Sequence, residues 1–176
     1  MPNYVRAYLP GGSFFFTAVT HQRKRVFSDD ATVDILRNLV QEVRQRLPFS
    51  VDAWVVLPNH IHAVWTLPVG DADFSKRWGL IKATFTKRAT TAGLVEAGVP
   101  IWQSRFWEHR IRDERDFAAH IDYVYINPVK HGLVSSVADW PWSSFHRDVA
   151  RGLYPGNWGS HIEVDESRPY GEPIDS

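Results

Sequence analysis

The stretch Leu57-Pro58-Asn59-His60-Ile61-His62-Ala63-Val64-Trp65 constrains the fold of this chain more than any other. Pro58 suits the first position of a β-strand, where the missing N–H removes no ladder bond. Beyond it side chains alternate between faces, so His60 and His62 point one way and Ile61 the other. Two neutral imidazoles held on one rigid face can grip a single metal ion. They can equally be sheet histidines with no ligand. In 176 residues with eight His, chance supplies roughly a third of a His-x-His pair, so the pair alone is a weak motif.

The length fits one domain with a real hydrophobic core. A 44% hydrophobic content and a formal net charge of zero exclude a disordered or polybasic chain. No apolar run reaches the roughly 18 residues of a transmembrane helix, and Met1-Pro2-Asn3-Tyr4 opens no signal-peptide core, so a cytoplasmic protein with no membrane partner is expected. The absence of Cys removes disulfides and thiolate metal sites. Eight Trp, six Tyr and ten Phe are mainly core material, although flat aromatic faces also stack on unpaired bases.

The neutral total hides an uneven distribution. Between Phe74 and Arg112 lie Lys76, Arg77, Lys82, Lys87, Arg88, Arg105, Arg110 and Arg112 against only Glu96 and Glu108, whereas Glu163 to Asp175 is acidic apart from Arg168. A local positive surface is compatible with phosphate-backbone binding, and also with an ordinary solvated helix face. Residues 1–160 are expected to form the domain, ending in an aromatic-rich segment that wraps it, and 161–176 a disordered acidic tail.

Extended segments are expected at Tyr4–Leu9 and Ser13–Thr20, separated by Pro10-Gly11-Gly12. Phe14, Phe15 and Phe16 break any alternation and point to a strand buried on both faces. Ser28 is placed to cap a helix opening on Asp29 and Asp30, with Val33, Leu36, Leu39, Val40, Val43 and Leu47 at helical spacing up to Pro48. Phe49–Leu57 and His60–Leu67 read as an antiparallel hairpin. A helix over Asp73–Thr91 buries Phe74, Trp78, Ile81 and Phe85 and turns Lys76, Lys82 and Lys87 outward. Trp102–Arg110 reads as a strand, and Asp113–Asn127 as a helix broken ahead of Pro128. This order suits an α+β, ferredoxin-like or RRM-like antiparallel sheet with helices packed on it.

On the last long helix Phe117, Ile121 and Val124 form the stripe facing the sheet, and His120, Tyr123 and Asn127 a second stripe beside it. Tyr125 falls on the other side, so the two tyrosines cannot share one site. Asn127 offers a carbonyl oxygen to a metal site begun by imidazoles, and Tyr123 a hydroxyl able to act as a nucleophile. An ordinary helix with half-buried tyrosines and an Asn C-cap has the same pattern.

Pro58-Asn59-His60-Ile61-His62 together with Tyr123-Val124-Tyr125-Ile126-Asn127-Pro128-Val129-Lys130-His131-Gly132-Leu133-Val134 resembles the single-tyrosine, His-hydrophobe-His (HUH) transposases of the IS200-like class, and among them the REP-associated tyrosine transposases. Pro10-Gly11-Gly12-Ser13-Phe14-Phe15-Phe16-Thr17, Phe106-Trp107 with His109-Arg110-Ile111-Arg112-Asp113, and Trp140-Pro141-Trp142-Ser143-Ser144-Phe145 extend the likeness over about residues 4–158. Several motifs in one order are far more specific than any one of them.

The resemblance implies a metal-dependent endonuclease and strand transferase for single-stranded, hairpin or REP-like DNA. His60 and His62 would bind the metal with Asn127 as third ligand, and Tyr123 would be the nucleophile forming a 5′-phosphotyrosine link. Tyr125 stands where relatives often carry His, which leaves a swapped assignment open. Two imidazoles by themselves suggest zinc or another late transition metal, whereas the family implies Mg2+ or Mn2+. DNA-binding candidates are Arg6, Lys76, Lys82, Lys87, Arg88, Arg105 and Arg110. Relatives occur as monomers and homodimers. The competing expectations are a non-catalytic single-stranded nucleic-acid-binding module of RRM-like plan and a hydrolase using activated water.

Overall fold

Ser13–Val19 forms β1, a strand buried along its whole length and flanked on both sides by partners. The computed structural model describes residues 11–160; the expected Tyr4–Leu9 strand, Arg6 and the acidic tail lie outside them. The sheet is completed by β2 (Ser50–Leu57), β3 (His60–Thr66) and β4 (Trp107–Arg110) in the order β2-β3-β1-β4, every pair antiparallel. This is the ferredoxin-like order. Helices α1 (Asp30–Arg46) and α2 (Phe74–Thr91) supply the two crossovers, followed by α3 (Glu114–Lys130) and the short α4 (Phe145–Ala150).

Period two divides β1 and β3 between two cores. Phe14, Phe16 and Ala18 with Ile61, Ala63 and Trp65 pack beneath α1 and α2. On the opposite face Phe15 and Val64 join Ile121, Val124 and Tyr125 of α3 and the later Trp140, Phe145 and Tyr154. The register sets Thr17 opposite His62 and Val19 opposite His60. The histidine pair is therefore built into the face that α3 covers. An RRM-type binder leaves that face open for bases; here a helix fills it.

The Gly11-Gly12 turn is tight enough that a Cβ on Gly11 would overlap the Leu67 carbonyl, while Leu67 N–H donates to Gly12 O at 3.0 Å. After α3 the aromatic segment wraps β2. Val56 N–H donates to Trp142 O at 2.9 Å, Trp140 Nε1 to Val56 O at 3.0 Å and Ser144 N–H to Trp54 O at 3.0 Å.

Local chemistry shifts three boundaries. The α1 cap is Asp29, which accepts from Thr32 N–H at 2.9 Å, and not Ser28, whose hydroxyl donates to Arg25 O. Only Trp107–Arg110 of the expected Trp102–Arg110 strand pairs continuously, Trp102 making a single bridge to Thr20. Helix α3 runs through Pro128 to Lys130. Proline removes one i→i−4 bond and crowds one carbonyl, a loss tolerated one turn from the end, where His131 N–H closes on Asn127 O and Leu133 N–H on Pro128 O.

Arg77 is 1% exposed. Its guanidinium meets both Asp71 oxygens at 2.7 and 3.1 Å and donates to the carbonyls of Leu47, Pro48 and Asp73, which ties α2 to the end of α1. Arg77→Ala strands those carbonyls and one carboxylate. Because Asp71 is one-third exposed and can rehydrate, a loss of about 3 kcal/mol is expected, the low end for a broken buried pair. Urea unfolding checks this through a lowered midpoint at unchanged m-value.

Candidate active site

His60 and His62 enter the α3-facing side directly after the Pro58-Asn59 turn, 2% and 0% exposed. Their ring centroids are 4.8 Å apart with planes at 84°. Desolvation, reinforced by the other histidines nearby, holds both pKa values well below 6.5, so both rings are neutral near physiological pH. Each ring is also oriented from behind. His60 Nδ1 lies 2.6 Å from Asn59 Oδ1, a pure acceptor, which puts the proton on Nδ1 and a lone pair on Nε2. His62 Nδ1 lies 2.8 Å from the Thr17 hydroxyl, a contact set by the strand register. Metal-binding histidines are commonly steadied this way.

Asn127 is fully buried across from the pair. Its Nδ2 donates to Tyr123 O at 3.2 Å, and its side chain lies beside both imidazoles. Two neutral imidazoles and a carboxamide oxygen, converging in a buried polar spot, are a donor set that suits a divalent cation. The fold places these three residues, picked out by their spacing, close to one another.

Tyr123 joins them. Its ring centroid lies 5.4 Å from that of His62 and 5.9 Å from that of Phe15. Its hydroxyl accepts from Lys130 Nζ at 3.2 Å, and the same ammonium sits 5.1 Å from the ring centroid. Lys130, two helical turns along α3, was not singled out from the sequence; the i, i+7 spacing to Tyr123 was the available signal. Tyr125 projects elsewhere, fully buried, donating to Asp148 Oδ2 at 2.5 Å and lying 3.0 Å from Ser144 Oγ. Burial and the Asp148 charge raise its pKa far above 10, so it is a locked structural phenol.

The expected DNA-binding cations are spread out. Helix α2 lies across the sheet from the histidine pair. Lys76 and Lys87 on it are exposed, as are Arg105 and Arg110. Lys82 donates to Gln103 O at 2.9 Å with its ammonium over Trp102 and Phe106, and Arg88 forms a two-pronged pair with Glu42 at 2.7 and 2.9 Å.

A second cluster joins β4 to α3. His109, Asp116 and His120 bring potential ligand atoms within 4.8 Å of one another. Their bonds are internal: Asp116 Oδ2 takes His109 Nε2 at 2.9 Å and Arg112 N–H at 3.0 Å, and His120 Nδ1 donates to Asp116 O at 2.7 Å. The two imidazoles stack at 16°, so their in-plane lone pairs cannot meet at one ion without a ring turning. These contacts hold the Asp116 carboxyl down at about 2, from 3.8. The clasp thus stabilises the fold above the ordinary carboxylate range and loses that contribution as pH falls towards 2.

A tyrosine on a helix laid over a strand-borne His-x-His pair, with Asn one turn further on, is the arrangement that the resemblance to single-tyrosine transposases implies. No family model matches the chain. It is 49% identical over 163 residues to the REP-associated tyrosine transposase of Escherichia coli K12, covering 92% of this chain and 93% of that protein. A Haemophilus influenzae protein provisionally given the same description is 41% identical, covering 93% and 97%. A solved REP-associated tyrosine transposase bound to a REP hairpin superposes with a TM-score of 0.81 at 46% identity, over 100% of both chains. The chain belongs to the REP-associated tyrosine transposases, enzymes that nick and join DNA.

Proposed function

We propose that this chain cuts and rejoins single-stranded or hairpin DNA of REP type through a covalent link between Tyr123 and a 5′-phosphate. The observation that carries the reading is the Tyr123 ring 5.4 Å from His62, with Lys130 Nζ on its hydroxyl. The Tyr123 oxygen attacks phosphorus, the bond to the 3′-oxygen breaks, and the 3′-hydroxyl leaves protonated. Reversal by that hydroxyl, or by another, rejoins strands without an external energy source. Lys130 faces the oxygen on which negative charge is held, and Asn127 positions the Tyr123 backbone. His60, His62 and Asn127 would hold a divalent ion, Mg2+ or Mn2+, which when bound offsets charge on the scissile phosphate. Phosphate and water would add the hard oxygen ligands that favour these ions over zinc.

Nucleophile and histidines all come from one chain, so a monomer carries the full constellation and a homodimer is not needed to assemble it. No helix among the described residues is long and apolar enough to cross a membrane, in keeping with action on DNA in the cytoplasm. Lys76, Lys87, Arg105 and Arg110 are free to take backbone phosphates, with Lys82 and Arg88 available once their internal contacts open, and Arg6 joining from the N-terminal segment. The test is to incubate the protein with a hairpin oligonucleotide and Mn2+ and denature it. A protein–DNA species that survives denaturation is expected; cleavage with no protein attached would favour an activated-water hydrolase, and binding with no cleavage a simple binder.

Thr17→Val keeps the shape beside His62 but removes the hydroxyl at Nδ1. Loss of such a supporting bond lowers metal affinity by about 10–100-fold. Calorimetric titration with Mn2+ measures it, and unchanged affinity would show that packing alone orients the ring.

A further inference from the structure

The helical ridge that carries Tyr123 and Asn127 continues one step beyond the chemistry above. His131 stands four residues past Asn127, as Asn127 stands four past Tyr123, and residues at that spacing are neighbours on one side of a helix. It closes α3 as its C-cap, and its N–H donates to Asn127 O at 3.0 Å. The backbone thus ties this histidine to the proposed third ligand.

Its imidazole lies against the histidine pair. The ring centroid is 5.1 Å from that of His60 with planes at 78°, close to the 4.8 Å and 84° that relate His60 to His62. It is also near enough to act electrostatically on both rings. The separation is informative. Zinc–nitrogen bonds of about 2.0–2.1 Å, continued to the ring centres, put two imidazoles on one tetrahedral ion with centroids roughly 5 Å apart. Crossed planes let in-plane lone pairs converge, which the stacked rings of His109 and His120 at 16° do not. His131 is partly exposed at the helix end, where its ring has room to turn onto an ion. With Asn59 and His60 it lines a recess of about 190 Å³ that gives the ion an entry path.

Two donor sets therefore overlap at one place. His60, His62 and Asn127 leave positions for phosphate and water, which suits Mg2+ or Mn2+. With His131 the set becomes three imidazole nitrogens and a carboxamide oxygen. Four protein ligands fill a tetrahedral zinc site and leave no position open. Zinc also binds nitrogen donors more tightly than manganese does.

We propose that His131 is the ligand that converts this centre into a closed zinc site, and that Zn2+ held there inhibits the enzyme by filling the positions the scissile phosphate needs. The inhibition rests on the transposase reading given above; the zinc affinity is measured without DNA and does not.

The test uses the full chain, stripped of metal by a chelator. Zn2+, in competition with a chromophoric chelator, and Mn2+ are titrated into wild type, His131→Gln and His131→Ala. Zinc affinity should fall at least about tenfold in both variants, while manganese affinity stays within about twofold of wild type. Co2+ in place of zinc should give the intense visible bands of a four-coordinate ion in wild type. The variants should give the weak bands of a higher-coordinate ion that carries water. With a REP-type hairpin and Mn2+, the zinc concentration that halves covalent-species formation should rise by the same factor, each protein referred to its own zinc-free rate. Should the alanine variant fold poorly, His131→Gln with a wild-type thermal midpoint carries the test. Equal zinc affinity in wild type and variant overturns the assignment, even where covalent species form. So does an equal loss of zinc and manganese affinity, which would make His131 a general support of the pair. Zinc bound through His131 that leaves covalent-species formation untouched overturns the closure of the site. Zinc bound through His131 in a protein that forms no covalent species with any ion keeps the ligand and sinks the transposase chemistry.

Discussion

Tyr123→Phe abolishes the covalent protein–DNA species and leaves hairpin affinity within about twofold of wild type. The substitution removes one oxygen atom. The ring keeps its packing against His62 and Phe15, and Lys130 loses a hydrogen bond but stays over the ring. A side chain 5% exposed contributes little direct area to DNA, so binding survives while the attacking atom is gone. Tyr125 cannot take its place, because its hydroxyl points to Asp148 and Ser144. Tyr125→Phe makes the complementary case: covalent species still form, but the fold loses about 1–3 kcal/mol because a buried carboxylate and hydroxyl give up their shared partner. A covalent species in Tyr123→Phe that vanishes in Tyr125→Phe would reverse the assignment.

His62→Asn has the second largest effect, at least about 100-fold on covalent-species formation, comparable with losing a principal stabiliser of transition-state charge. The smaller amide avoids burying a new charge and keeps much of the volume, yet cannot reproduce the imidazole lone pair aimed from Thr17. Chelation of divalent ions should do the same to the wild-type protein while hairpin binding persists. Formation at full rate in excess chelator would remove the metal from the account. The pH dependence has a definite sign. Burial lowers the pKa of both His60 and His62 well below 6.5, so the neutral, ligating form persists below that value. Mn2+ affinity should hold between pH 7 and 6 and fall only under stronger acid, whereas unperturbed imidazoles would begin losing it near 6.5.

The parts legible in the sequence are those governed by strict periodicity. Alternation along His60–Trp65 placed both imidazoles on one face and Ile61 on the other, and helical spacing put Tyr123 with Asn127 and sent Tyr125 away. The strand and helix order led to the ferredoxin-like sheet because antiparallel pairing and crossover helices leave few alternatives. What escaped depends on contacts between distant segments. Pro128 reads locally as a stop, but docking of α3 on the sheet carries the helix past it. Lys82 looks like a solvent-facing cation until Trp102 and Phe106, some twenty residues on, fold over it.

Mass mapping of the covalent species tests the central claim most directly. Trypsin releases residues 116–130 as one peptide carrying both tyrosines, and fragmentation between them locates the added nucleotide. The account predicts the nucleotide on Tyr123, attached through its 5′-phosphate. A nucleotide on Tyr125, or DNA cut at the same site with the peptide unmodified, would contradict it.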